Sequence, residues 1–301
     1  MNVVSTSPSG TEILCALGVE PVAVSHACDH PPRVRELPSI DFSRVRGDSS
    51  AERHDQVRAV SAEGRVYRLD VETLRSVEPD LILSQAVCGV CAVDTTLVEE
   101  VLSDLDAEPD VVGLRANTLE DLFSCIERVG EVTDREERAT ELIVKLRERL
   151  DAIETRVEGR DRPRVAILEW LDPPIAAGNW VPQLVEIAGG QYGLASPGDR
   201  TVELDWRQVR EYDPEVLVAA PCGYDVETTL ARREELIDRE GWEELAAARE
   251  KRVYAMDGAS YLNRWSPRLI DAAERLAACI HRDEFGPPPS DVAKLSSARS
   301  A

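Results

Sequence analysis

Two stretches of this chain are variants of one another. LDVETLRSVEPDLIL (Leu69 to Leu83) and LDWRQVREYDPEVLV (Leu204 to Val218) share the pattern L-D-x-x-x-[LV]-R-x-x-[ED]-P-[DE]-[LV]-[IL]-[LV]. Each reads as a short helix, a turn at the proline and an apolar strand. A unit that recurs once, far along the chain, predicts two lobes built on the same plan.

The rest of the pattern agrees. Short β-rich runs alternate with amphipathic helical segments, the sign of parallel sheets with crossover helices. In the first half the strands fall at Val3-Ser5, Val22-Val24, Leu81-Leu83 and Val111-Gly113, and in the second at Val165-Leu168, Val216-Ala219 and Val253-Met256. Between the halves, Thr118 with Asp121 and Thr133 with Glu136 are capping-box signals. Ala139, Leu142, Ile143, Leu146, Leu150, Ile153 and Val157 then keep one helical face. The expected fold is α/β: two Rossmann-like lobes joined by a long connecting helix, with a ligand cleft between the lobes. The expected boundaries are 1–117 for the first lobe, 118–160 for the connector, 161–285 for the second lobe with its terminal helix, and 286–301 for a disordered Pro/Ser-rich tail.

Charge narrows the partners. The 301 residues carry 57 acidic against 35 basic side chains, a net charge of −22, and only Lys145, Lys251 and Lys294 are lysine. Such a surface repels nucleic acid and anionic membrane, and it suits a halophilic, salt-accumulating cell. No stretch approaches the roughly 18 uninterrupted apolar residues of a spanning helix. The N-terminus shows neither a basic region nor a long apolar core, so the expected location is cytoplasmic, without direct membrane insertion.

Open α/β sheets bind ligands beyond the carboxyl ends of their strands, and that rule collects the candidate residues. Ser5 and Ser7 follow the first strand, His26 and Cys28 the second, and Gln85, Cys88 and Cys91 the strand at Leu81. Trp170 and Trp180 follow the strand at Val165, Cys222 the one at Val216, and Tyr261 and Arg264 the one at Val253. Three readings stay open for the C-x-x-C pair: small residues packing a turn, a redox pair, or metal ligands. Four thiolates, Cys28, Cys88, Cys91 and Cys222, could hold zinc or an iron-sulfur cluster, and one thiolate or His26 could ligate the cobalt of a corrinoid. Cys15, Cys125 and Cys279 lie on apolar helix faces and read as core. No hydrolase elbow, phosphate loop or H-E-x-x-H occurs, and the carboxylates are too numerous to single out an acid/base pair. An enzyme is the minority reading.

VVSTSPSGTEILCALG, VSHACDHPP, VEPDLILSQAVCGVCAV and YLNRWSPRLIDAAERLA resemble the binding proteins of vitamin B12 and iron-siderophore ABC importers, over roughly residues 2 to 285. The resemblance implies a non-enzymatic protein with a corrinoid (cobalamin-like) ligand or related small-molecule metal complex in the cleft. The Ser5–Ser9 turn would line it from one lobe, and Tyr261 and Arg264 from the other. In the vitamin-binding relative an acidic residue stands four positions before the matching arginine; here that position is Ser260. The resemblance also implies an acidic docking residue on each lobe for the permease. Glu72 matches in the first lobe, whereas its counterpart in the second is Arg207. Docking on a permease is therefore doubtful on this reading, which favours an intracellular carrier or sensor. The alternatives are a metal- or cluster-carrying redox protein and the importer's substrate-binding component.

Overall fold

The computed structural model of the chain describes residues 1–45, 47, 49–63, 66–86, 95–102 and 108–295. It divides into two compact units. One comprises residues 1–48, 52–116 and 120–144, the other 49–51, 117–119 and 145–301.

The first unit is built on a four-stranded parallel sheet. Its strands are β1 (Val3–Ser5), β2 (Ala23–Val24), β5 (Leu81–Gln85) and β6 (Asp110–Leu114), in the order β2-β1-β5-β6. β1 and β5 are buried along their whole length, so each opens on an apolar run, Val3-Val4 and Leu81-Ile82-Leu83, rather than an alternation, and ends in buried polar residues. A separate antiparallel ribbon pairs β3 (Asp41–Ser43) with β4 (Tyr67–Leu69). Val4, Ala23, Ile40, Leu74, Ile82 and Val98 form a core cluster of this unit.

The second unit holds a six-stranded sheet of order β12-β11-β10-β7-β8-β9. β7 (Val165–Trp170), β10 (Val216–Ala219) and β11 (Val253–Met256) run parallel. β8 (Ile175–Ala176), β9 (Val202–Glu203) and β12 (Val292–Lys294) add antiparallel edges. A core cluster here combines sheet residues such as Leu168, Leu217 and Val253 with Leu236, Trp242 and Leu245.

The repeat seen in the sequence is a structural one. In each unit the repeated strand lies between the unit's first strand and the next parallel one: β1-β5-β6 and β7-β10-β11. Asp70 and Asp205 each cap the repeat's helix, accepting the backbone N–H two residues on, from Glu72 and Arg207. Both capping carboxyls are held below the usual carboxylate range, Asp70 chiefly by the Thr73 hydroxyl and Asp205 chiefly by the Arg207 guanidinium.

The helical segment expected at 118–160 holds two helices, Leu119–Val132 and the longer Glu136–Val157. Between them Asp134 takes a left-handed backbone, φ 54°. Thr133 donates its hydroxyl back to the Val129 carbonyl (2.6 Å), closing the first helix rather than capping the second. The second helix keeps the expected apolar face, with Ala139, Ile143, Leu146, Leu150, Ile153 and Val157 buried. Arg149, on that helix, pairs with Asp271 (2.6 Å) and Glu274 (2.9 Å) of the helix Leu269–Ile280.

The tail differs from expectation. β12 pairs with β11 through Tyr254–Lys294, Ala255–Ala293 and Met256–Val292, and Leu295 is buried in the core cluster. A Pro/Ser-rich composition fails to signal this strand because the free edge of β11 supplies the order. No helix among the described residues is long and apolar enough to cross a membrane.

Candidate functional site

In the first unit the chain turns tightly after β1. Ser7 caps the helix Pro8–Ala16, accepting the Gly10 N–H at 3.3 Å, with proline in the first turn. The Ser5 hydroxyl donates to the Ser7 carbonyl at 3.0 Å. Ser5 and Ser7 are both buried, so the hydroxyls expected to line a ligand instead close this turn. Gln85, at the end of β5, is likewise buried.

After β2 the chain carries Ser25 and His26. Both converge on Asp41 of β3, whose side chain is fully buried. Asp41 accepts the Ser25 hydroxyl on both oxygens (3.0 and 2.8 Å) and the His26 backbone N–H at 2.7 Å. The His26 Nδ1 lies 2.7 Å from the same carboxylate. The imidazole itself is 35% exposed, with the Tyr67 ring of β4 tilted against it at 5.7 Å. Burying a carboxylate is costly unless donors surround it, and here three do.

Cys28, expected as a metal ligand, is in the core. It is 5% exposed and packs with Val24 and Val34, beside Cys15 and Leu37. Its sulfur lies 3.1 Å from the Thr11 hydroxyl. Strand-end position does not determine which way a side chain points, and this one points inward. Cys88 and Cys91 lie outside the described residues. Cys222 is exposed on the turn after β10. Among the described residues no group of three or more His, Cys, Asp or Glu could hold a metal ion, so neither the zinc nor the cluster reading gains support.

In the second unit Trp170 ends β7 half-buried. Its Nε1 donates to the Ser50 carbonyl at 3.1 Å. Its ring tilts at 46° against Tyr224, 5.3 Å between centroids. Arg232 sits over the other aromatic of this pair, 5.3 Å from the Tyr224 ring. Trp180 behaves differently: it is 6% exposed and donates to the Leu262 carbonyl at 2.8 Å, so it packs rather than offering a flat surface. Tyr261 stands in one wide helical turn, Gly258–Leu262, capped by Asp257. Its hydroxyl donates to Asp291 (2.7 Å) and accepts from Arg275 (2.9 Å), and the Arg275 guanidinium lies 4.0 Å over its ring. Tyr261 therefore fastens the tail. Arg264 is half-buried just beyond this turn.

Glu72 is exposed in the first turn of its helix. Its counterpart Arg207 is also exposed and pairs with its own capping residue, Asp205, at 3.0 Å.

Sequence reasoning missed Asp41, Tyr67 and Tyr224. Alternation along Ile40-Asp41-Phe42 misleads, because the aromatic faces outward (51% exposed) and the carboxylate inward. The only signal was the need of a buried Asp for donors such as Ser25 and His26.

Comparisons with known proteins give the chain its relatives and its family. It is 25% identical over 289 residues to the uncharacterized ABC transporter substrate-binding lipoprotein YvrC of Bacillus subtilis, covering 94% of this chain and 81% of the relative. It is 23% identical to the vitamin B12-binding protein of Vibrio parahaemolyticus, covering 93% and 88%. A solved periplasmic heme-binding protein of Pseudomonas aeruginosa shares the fold at a TM-score of 0.74 and 19% identity, covering 100% and 99%. The cytoplasmic location expected above is overturned by this kinship, since one relative is named a substrate-binding lipoprotein and the matching family model describes periplasmic binding proteins. An acidic, lysine-poor surface sets how a protein meets salt and polyanions, not which side of a membrane it faces. Nor does this kinship support the doubt over permease docking. The periplasmic binding protein model matches residues 3–259, and the chain belongs to that family.

Proposed function

We propose that the chain is the substrate-binding component of an ABC importer, carrying a corrinoid or a similar flat metal macrocycle, without catalysis. The observation that carries this reading is Trp170. It is a half-buried indole at a strand carboxyl end, fixed from two sides by the Ser50 carbonyl and the Tyr224 ring. A fixed aromatic offers a large apolar face with little side-chain entropy left to lose, which suits a rigid macrocycle. Arg264, of the same unit, is its proposed polar companion, and His26 is a separate proposed cargo contact of the first unit. Ser5, Ser7, Gln85, Trp180 and Tyr261 shape the backbone of the strand ends and touch no cargo on this reading. Glu72 is the proposed docking carboxylate toward the permease. Arg207, being paired with Asp205, presents a largely neutralised ion pair rather than a bare like charge at the equivalent position.

Titration of the full chain with cyanocobalamin, hemin and a ferric hydroxamate, followed by tryptophan fluorescence and calorimetry, tests the reading. Saturable one-to-one binding of a macrocycle, weakened roughly tenfold or more in Trp170→Ala, is expected. Absence of binding by all three probes would remove the proposal.

A further inference from the structure

The geometry points to a disulfide site: Cys15 of the helix Pro8–Ala16 and Cys28 of the turn after β2 form an intrachain bridge when the chain folds in an oxidising compartment. The inference goes beyond the proposed function and does not depend on which cargo is carried.

The argument starts from the helix. Thr11 and Cys15 stand four residues apart on it and so share one side, a turn apart. Helical side chains lean toward the N-terminus, which directs the Cys15 side chain toward the turn that carries Thr11. The Cys28 sulfur already sits at that turn, 3.1 Å from the Thr11 hydroxyl. Cys15 itself packs against the small cluster that Cys28 forms with Val24 and Val34. The backbone agrees, since the Cys28 N–H donates to the Ser25 carbonyl at 2.9 Å and closes the turn that holds residue 28 in place.

The other described cysteines have different surroundings. Cys125 donates its thiol to the Arg115 carbonyl at 3.3 Å. Cys222 is exposed on a turn of the second unit, and Cys279 is buried on a helix of that unit.

Compartment and access then favour a bridge over two packed thiols. The chain belongs to a family of periplasmic binding proteins, and disulfides form and persist in oxidising compartments of that kind. Cys15 is half-exposed and Cys28 buried, so an oxidant reaches Cys15 first. Burial, aided by the Glu20 carboxylate and opposed by Arg33, pushes the Cys15 thiol up to about 11. A folded, reduced protein therefore oxidises slowly, and the bridge forms while the chain folds. The step is thiol–disulfide exchange with a disulfide oxidant, such as an oxidised dithiol protein or glutathione disulfide. The Cys15 thiolate attacks one sulfur of the oxidant, and the other sulfur leaves. The Cys28 thiolate then attacks the Cys15 sulfur and releases the rest of the oxidant. The protons of the two cysteines pass to the two leaving thiolates, and the oxidant takes up the two electrons that the cysteines lose. The bridge fastens the turn carrying Ser25 and His26 to the helix that Ser7 caps.

The experiment folds the full chain in a buffer of oxidised and reduced glutathione, unfolds it without reductant in the presence of N-ethylmaleimide, and cleaves it after glutamate. Cleavage at Glu20 puts Cys15 and Cys28 on separate peptides. The expected result is a linked pair of those peptides, free of maleimide, that separates on reduction. Cys125→Ser should keep the linked pair, whereas Cys15→Ser should lose it and leave Cys28 alkylated. Maleimide on both Cys15 and Cys28 of the oxidised wild type would overturn the inference, as would Cys28 linked instead to Cys88, Cys91 or Cys222. Should Cys15→Ser not fold, the peptide map of the wild type decides alone.

Discussion

Glu78 and Asp213 hold the same left-handed backbone, φ 45° and 44°, at equivalent positions of the two repeat copies and each directly before a proline. A residue before proline is already restricted, and positive φ is uncommon for side chains other than glycine. The repeat has thus kept a costly turn twice while most of its side chains diverged.

The two positions should respond oppositely to glycine. Glu78 is exposed, so Glu78→Gly mainly relieves the backbone and is expected to stabilise by roughly 0.5 kcal/mol. Asp213 accepts the Ala246 N–H at 2.9 Å and pairs with Arg164 at 3.6 Å. Asp213→Gly loses both and should destabilise by roughly 1 kcal/mol despite the same backbone relief. Thermal unfolding of the two variants checks the signs; equal shifts would mean the turn is not what the repeat conserves.

What the sequence revealed follows from where the information lies. The seven expected strands were legible from their apolar runs, which in β1, β2, β5, β10 and β11 reflect burial along the whole strand. β3, β4, β8, β9 and β12 were not. Val202 and Glu203 are both exposed on an edge, and Val292–Lys294 is ordered only by pairing with β11. The same distinction runs through the site. His26 was legible from its position after β2, but its anchor Asp41 sits sixteen positions past Ser25 in a strand whose polarity is inverted. Cys28 and Trp180 were assigned to a ligand because they follow strands, yet each turns into a core that only packing defines.

Gly258 should tolerate no side chain. A Cβ there would lie 2.4 Å from the carbonyl oxygens of both Ala220 and Pro221 and 2.5 Å from the Asn263 amide nitrogen. Backbone oxygens cannot swing aside, so Gly258→Ala must displace the turn after β10 or the one after β11. A loss of roughly 1–3 kcal/mol is expected. Because this turn follows directly on β10 and β11, weaker binding of the proposed cargo should accompany it. Calorimetric unfolding with a parallel binding titration tests both effects.

The cysteines should sort sharply by reactivity. Burial pushes the Cys15 and Cys125 thiols up to about 11 and the Cys279 thiol up to about 12. At pH 8 about one molecule in a thousand or fewer would carry any of these as thiolate, the reactive form. Cys222 is exposed. Brief iodoacetamide treatment of the native protein, read peptide by peptide in a mass spectrometer, is expected to modify Cys222 and spare Cys15, Cys125 and Cys279. Prompt labelling of Cys28 would contradict its place in the core.

The tail anchor should fail in acid. Burial tends to raise the Asp291 carboxyl, but the hydrogen bonds from Arg275 and Tyr261 outweigh it and hold the group below its ordinary 3.8. A carboxyl whose folded value is depressed contributes stability above its unfolded value and loses it as pH falls through the folded one. The contribution is therefore complete at neutral pH and declines from about pH 4 downward. Protonation weakens the link to Arg275 and to the Tyr261 hydroxyl, and with it the docking of β12 on β11. Hydrogen exchange read at Ala293 and Lys294 should show protection at pH 6 that falls below pH 4 more steeply than protection at β10. In Asp291→Asn the acid-specific loss should vanish and protection at pH 6 should be lower from the start. An acid response of β12 unchanged by this substitution would remove Asp291 as the anchor.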